Sequence, residues 1–228
     1  MFTTIPYRTM LRGAIQTVLC LFGGLFVGSL LGNLMFNALP GHNITLAAIT
    51  ALAGVLIGSA LWGVQMGKLV EATESRRMAV AGALGFTPVV VGLGLLLNAL
   101  EPVAVQQFGY MLPIHRLFTL LFVPAVFIIS SVSAWAIGVG LQNLTLARVL
   151  WWRVGIAAAL AFLTVNLVME GLGWIVGAPR AADRATMLTV MFAGNLAGAL
   201  LGGAVLGWIL HTALVRPVLG PSTAVSSQ

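Results

Sequence analysis

Long apolar stretches separated by short polar breaks organise this chain. The first stretch, about 13–39, is broken by Pro40-Gly41-His42-Asn43, and the second, about 45–66, runs into the polar segment Lys68–Arg77. Four more lie at about 78–100, 113–141, 147–176 and 186–210. Each exceeds the roughly 18 residues needed to cross a hydrocarbon core at about 1.5 Å per residue. The pattern predicts an all-α polytopic membrane protein with six transmembrane helices, arranged as three helical hairpins. One domain covers 1–212, and a loose cytoplasmic tail covers 213–228. The first stretch is too long for the apolar region of a signal peptide and lacks a cleavage site, so it reads as a spanning helix.

Composition agrees with that pattern. The 228 residues are 60% hydrophobic and 7% charged, with mean hydropathy +1.06. A soluble domain carries about a quarter charged residues. Net charge is +6, but the Lys and Arg residues sit at the ends of apolar stretches and form no basic stripe with interleaved aromatics. Nucleic acid is therefore not an expected partner. Cys20 is the lone cysteine and lies mid-stretch, so it forms no internal disulfide and no CxxC site.

Basic residues also predict orientation. With the N-terminus inside, Arg8, Arg12, Lys68, Arg76, Arg77, Arg148, Arg153 and Arg216 are cytoplasmic, and only Arg116, Arg180 and Arg184 lie outside. That asymmetry places both termini in the cytoplasm, and the expected location is a bacterial inner membrane. Proline marks local distortion: Pro88 is expected to kink the third helix, Glu101-Pro102 to end it, and Pro113 to open the fourth.

An internal repeat is visible. Leu34-Met35-Phe36-Asn37-Ala38-Leu39 parallels Leu95-Leu96-Leu97-Asn98-Ala99-Leu100, with Leu167-Val168-Met169-Glu170-Gly171-Leu172 at the corresponding place. Each odd-numbered helix comes after a pair of arginines: Arg8 and Arg12, Arg76 and Arg77, Arg148 and Arg153. Three similarly oriented hairpins would put Asn37, Asn98 and Glu170 in one layer near the outer face.

Glu170 is the one acidic residue well inside an apolar stretch, with Asn166 a helical turn before it. One reading is a proton- or cation-coupled group in an outer polar site, with Asn166, Asn195, Asn98 and Asn37 donating hydrogen bonds. The other is a carboxylate paired with Arg116, His115 or Arg180. The pairing reading leads, because transport paths usually gather several ionisable groups.

Glycines at four-residue spacing are Gly24, Gly28 and Gly32; Gly54 and Gly58; and Gly194, Gly198 and Gly202. They are read as faces for close helix packing within the chain or between copies. His42, His115 and His211 cannot pair at one depth for a haem, and no metal-ligand spacing or hydrolase motif is present. No cofactor, metal or catalytic residue is expected. Two functions remain: a small-solute transporter or channel-like module with Glu170 at its outer site, or a non-catalytic assembly subunit that docks partner membrane subunits through glycine-rich faces.

Overall fold

Nothing in lipid can substitute for a missing backbone hydrogen bond, so an apolar chain of this kind closes every N–H and C=O inside its own helices. In the computed structural model the described residues are almost entirely helical. The described residues are 6–38, 44–72, 74–108, 114–176 and 184–215. They form α1 (Pro6–Thr17), a π-helical turn (Val18–Phe22), α2 (Gly23–Ala38), α3 (Ile44–Lys68), α4 (Ser75–Phe108), α5 (Ile114–Gly140), α6 (Leu144–Val176) and α7 (Arg184–Leu210). A second π-helical turn, His211–Val215, continues α7. α1, the π turn and α2 run on as one span, so six helices are long and apolar enough to cross a membrane. The 213–228 tail lies mostly outside the described residues.

Two boundaries differ from the sequence expectation. The first span is helical from Pro6, the first described residue. The third span continues through Glu101-Pro102 to Phe108, with both Pro88 and Pro102 inside α4. A proline removes one donor, but the carbonyl side of the helix can carry on beyond it. At 34 residues α4 is about 50 Å long, well beyond a hydrocarbon core of about 30 Å.

The spans form a ring in chain order, each antiparallel to its neighbours, with the last packed on α1 of the first. Backbone approach makes the joints. A Cβ on Gly24 would lie 2.6 Å from Gly54 O, and one on Gly28 would lie 2.9 Å from Gly54 Cα. Gly63 faces Gly82 between α3 and α4, and Gly138 faces Ala147 between α5 and α6. Gly198 sits 3.1 Å, by the same measure, from Ala158 O on α6. Gly13 of α1 meets Gly203 and Gly207 of α7 and so shuts the ring.

One end of the ring, the basic end, carries Arg8, Arg12, Lys68, Arg76, Arg77, Arg148 and Arg153. Its interior is the packed part of the molecule. Trp62, Met66, Met78, Ile137, Leu150, Leu206 and Leu210 form one buried cluster there. Outward faces are the reverse of a soluble protein's: Phe26, Leu84, Leu95, Trp152 and Leu160 are all exposed. These are surfaces for lipid.

Both connections at the basic end use the same stop. Glu71 and Gln142 adopt φ of 55° and 57°. In each, the residue after the left-handed position turns back, Ala72 N–H to Gly67 O at 3.0 Å and Asn143 N–H to Gly138 O at 3.0 Å. This Schellman arrangement usually employs glycine at the left-handed position. Asn143 then starts the next helix, its Oδ1 accepting from Leu146 N–H at 2.8 Å. Arg77 locks the loop to its neighbour by donating to Gly140 O at 2.6 Å while pairing with Glu74 at 2.9 Å.

This packing makes two predictions. Gly58→Val, which must push its side chain into the backbone of the first span, is expected to destabilise by about 2 kcal/mol or more, whereas Gly92→Ala, facing open space, is expected to be neutral or stabilising by up to about 1 kcal/mol. Gln142→Gly relieves a left-handed non-glycine residue and should stabilise by about 0.5–1 kcal/mol. Reversible unfolding in mixed micelles measures all three.

Candidate functional site: a central apolar cavity

The ring is not filled along its whole height. Above the packed cluster, the axis holds a cavity of about 360 Å³ lined by residues from all six spans. Leu21, Trp62, Ala134, Val154 and Leu206 belong both to the cluster and to the cavity lining, and so form its floor. Phe86, Val90 and Leu93 of α4, Phe122, Val126 and Ile129 of α5, and Ala199 and Phe192 of α7 form its walls. The polar side chains among its lining residues are those of Thr17, Trp62, Ser130, Ser133 and Asn195. No charged residue lines it among the described residues.

Polar side chains gather at the height of Pro88. The proline removes a donor from α4, so that turn depends on its neighbours. Thr87 Oγ1 and Ser59 Oγ lie 2.9 Å apart, joining α4 to α3. Ser133 Oγ donates to Ile129 O at 2.6 Å and lies 3.3 Å from Gly85 O, joining α5 to α4. The carbonyl expected to need help is that of Leu84, one turn before the proline; the neighbour's hydroxyl reaches the next carbonyl instead. On the opposite wall Trp62 Nε1–H donates to Thr17 Oγ1 at 2.9 Å, and that hydroxyl donates to Gly13 O at 2.7 Å. These bonds fix the floor of the cavity while leaving its walls greasy.

The residues singled out in the sequence are dispersed. Asn37 is exposed and donates to Asn33 O of its own helix at 2.8 Å. Asn166 is buried, donates to Phe162 O at 2.8 Å, and presses its Nδ2 against Gly194 of α7. Asn195 is half-buried and lines the cavity. The side chains of Glu170, Asn98, His115 and Arg116, and Arg180 altogether, lie outside the described residues. Gly24, Gly28, Gly54 and Gly58 face one another between α2 and α3, with Gly32 buried further along α2. Gly194, Gly198 and Gly202 face Phe162, Ala158 and Val154 of α6.

The Thr17–Trp62 and Ser59–Thr87 pairs escaped the sequence reading. Their signal is a hydroxyl within an apolar stretch, at the same distance from the basic end on two neighbouring spans. His211, buried and 3.4 Å from Thr9 Oγ1, marks the join of last span to first at the basic end. Among the described residues no cluster of three or more His, Cys, Asp or Glu could hold a metal ion. No protein-family model, curated protein or solved structure matches this chain.

A double-mutant cycle on Thr17→Val and Trp62→Phe is expected to give a coupling of about 0.6 kcal/mol, the usual size for a hydrogen bond between membrane helices. A value near zero would mean the bond contributes nothing to the cavity floor.

Proposed function

We propose that this integral membrane protein is a non-enzymatic module that binds a small, mainly apolar solute in its central cavity and passes it across or out of the bilayer. The observation that carries the reading is the cavity itself. Its volume, about 360 Å³, lies within the range of small-ligand sites, and its apolar walls with a few convergent polar groups are the usual composition of such sites. A bundle built only to hold partners gains nothing from an unfilled axis, since lost packing costs stability. Asn195, one of the asparagines that stand out in the sequence, lies at this cavity. Glu170 has no part in the proposal.

The arrangement in the membrane belongs to the same proposal. The basic end faces the cytoplasm, as the distribution of Lys and Arg favours. The three hairpins are α1–α3, α4–α5 and α6–α7, and the identical stops at Glu71 and Gln142 support a repeated unit. The host membrane on this reading is a bacterial inner membrane.

The test is binding of Nile red, an uncharged apolar dye, to protein in lipid nanodiscs. Wild type is expected to show a saturable component of emission, and Ala199→Phe, which fills the cavity from α7, is expected to weaken it about tenfold. An unaltered saturable component in the variant, or none in either protein, refutes the reading. A stoichiometric membrane partner in native purification would then favour the assembly subunit.

A further inference from the structure

The first span changes allegiance partway up. In α1 its small face is turned to the last span, with Gly13 against Gly203 and Gly207. In α2 its small face is turned to α3 instead, with Gly24 and Gly28 against Gly54 and Gly58. Gly13 and Gly24 are eleven residues apart, which in an unbroken α-helix brings them to within about 20° of the same face. The π turn at Val18–Phe22 lies between them. Its wider winding rotates everything after it by roughly a quarter turn relative to an α-helix. That rotation aims the glycines of α2 at α3.

The last span turns away as well. Gly203 and Gly207 serve α1, but Gly198 and Gly194, nearer the far end, face Ala158, Phe162 and Asn166 of α6. Above Thr17 the two spans that close the ring therefore present their small faces to other neighbours. α2 and α7 do not pack against each other as α1 and α7 do. What bridges them is an edge-to-face contact of Phe22 and Phe192, with ring centroids 5.7 Å apart and planes at 82°. Phe22, Leu25 and Phe192 all line the cavity, and Leu25 and Phe192 are also exposed. A seam thus separates α2 from α7, and the cavity lies directly behind it.

The geometry points to a lateral portal: the occupant of the cavity is an uncharged, single-chain amphiphile that passes between bilayer and cavity through the seam of α2 and α7, with Phe22 and Phe192 as its gate. This rests on the proposed solute-binding role and adds the class of solute and its route. The cavity has no charged side chain among the described residues to meet an ionic head group. Polar side chains of Thr17, Ser130, Ser133 and Asn195 line it; the Thr17 and Ser133 hydroxyls already donate to Gly13 O and Ile129 O, so their oxygens are left as acceptors for a hydroxyl or amide head. About 360 Å³ accommodates one chain. Such a molecule dissolves in the membrane, so a side door reaches it where it is most concentrated. The faces beside the seam, Leu25, Phe26 and Phe192, are apolar and already turned to lipid. An edge-to-face aromatic pair can part by rotation of its rings, whereas the glycine joints of the other helix pairs cannot separate without moving whole helices.

The test uses quenching of Trp62, a residue of the cavity floor. Trp135, Trp151, Trp152, Trp174 and Trp208 are replaced by Phe, and the protein is held in nanodiscs. The probes are ω-bromodecanol, ω-bromodecanoate and ω-bromodecyltrimethylammonium, which share a chain and differ in head charge. Saturable quenching is expected for the alcohol, at least tenfold weaker for either ion, and lost in Ala199→Phe. For the route, Phe22→Cys and Phe192→Cys in a Cys20→Ser background are joined by a short bis-maleimide. Cross-linking is expected to slow the onset of saturable quenching at least tenfold, with the unlinked pair as control. If that pair fails to fold, Leu25→Phe, which narrows the seam from an exposed position, is expected to slow onset severalfold. Equal quenching by ionic probes overturns the solute class, and unchanged onset after cross-linking or narrowing overturns the portal. Both results leave the binding role standing. Absence of saturable quenching by all three probes, with saturable Nile red binding retained, also overturns the amphiphile. If Nile red binding fails too, the binding role falls with it.

Discussion

Backbone-to-backbone approach between antiparallel helices is the constraint on which this molecule depends. Lipid tails are as apolar as leucine, so helices gain little by burying leucine against each other. What holds them is dispersion across close surfaces, and glycine brings the surfaces closest. The joints between the first and second spans, the second and third, and the last and first are made of glycine facing glycine. Because these joints lie on the circumference, they hold the spans in a ring without filling its axis. The basic end is plugged by Trp62, Met66, Met78 and their neighbours, and above that plug the cavity remains.

Polar side chains take a subordinate but specific part. Ser59, Thr87, Ser133, Thr17 and Trp62 are all engaged with a neighbouring span near the same height. Each bond is worth only a fraction of a kcal/mol on average. Their value is positional, since an unpaired hydroxyl in hydrocarbon has no other recourse. Ser131 is the exception: its Oγ is buried beside Gly155 with no hydrogen-bond partner. That leaves a polar atom between α5 and α6 rather than in the cavity, and nothing in the structure explains it.

How much of the fold is legible in the sequence depends on which physical terms are local. Span number and helical class are written in stretch length and hydropathy, because the bilayer sets both. Glycine spacing along one helix is also legible, but the partner that each row faces is not. Gly13 and Gly24 look equivalent on paper and serve different neighbours, because the intervening π turn leaves no clear mark in Val18-Leu19-Cys20-Leu21-Phe22. Pro102 illustrates the same gap: its effect on the helix depends on what surrounds it, and α4 runs on through it. Residues that are anomalous in lipid stand out in the sequence, which is why Glu170 and the asparagines draw notice first. A cavity is made instead by side chains that are ordinary one at a time, such as Val90, Ile129 and Ala199. It emerges only from how six helices converge.

The π turn connects these points. An extra residue in one turn costs hydrogen-bond quality, and such turns appear frequently at functional sites. Here it lets a single span close the ring at the basic end and leave it part-closed beyond. An α turn in its place would swing Gly24 and Gly28 away from Gly54 and Gly58 and leave α3 short of a partner. The seam and the cavity behind it are the features that accompany this distortion, and both lie in the half of the bundle away from the basic end.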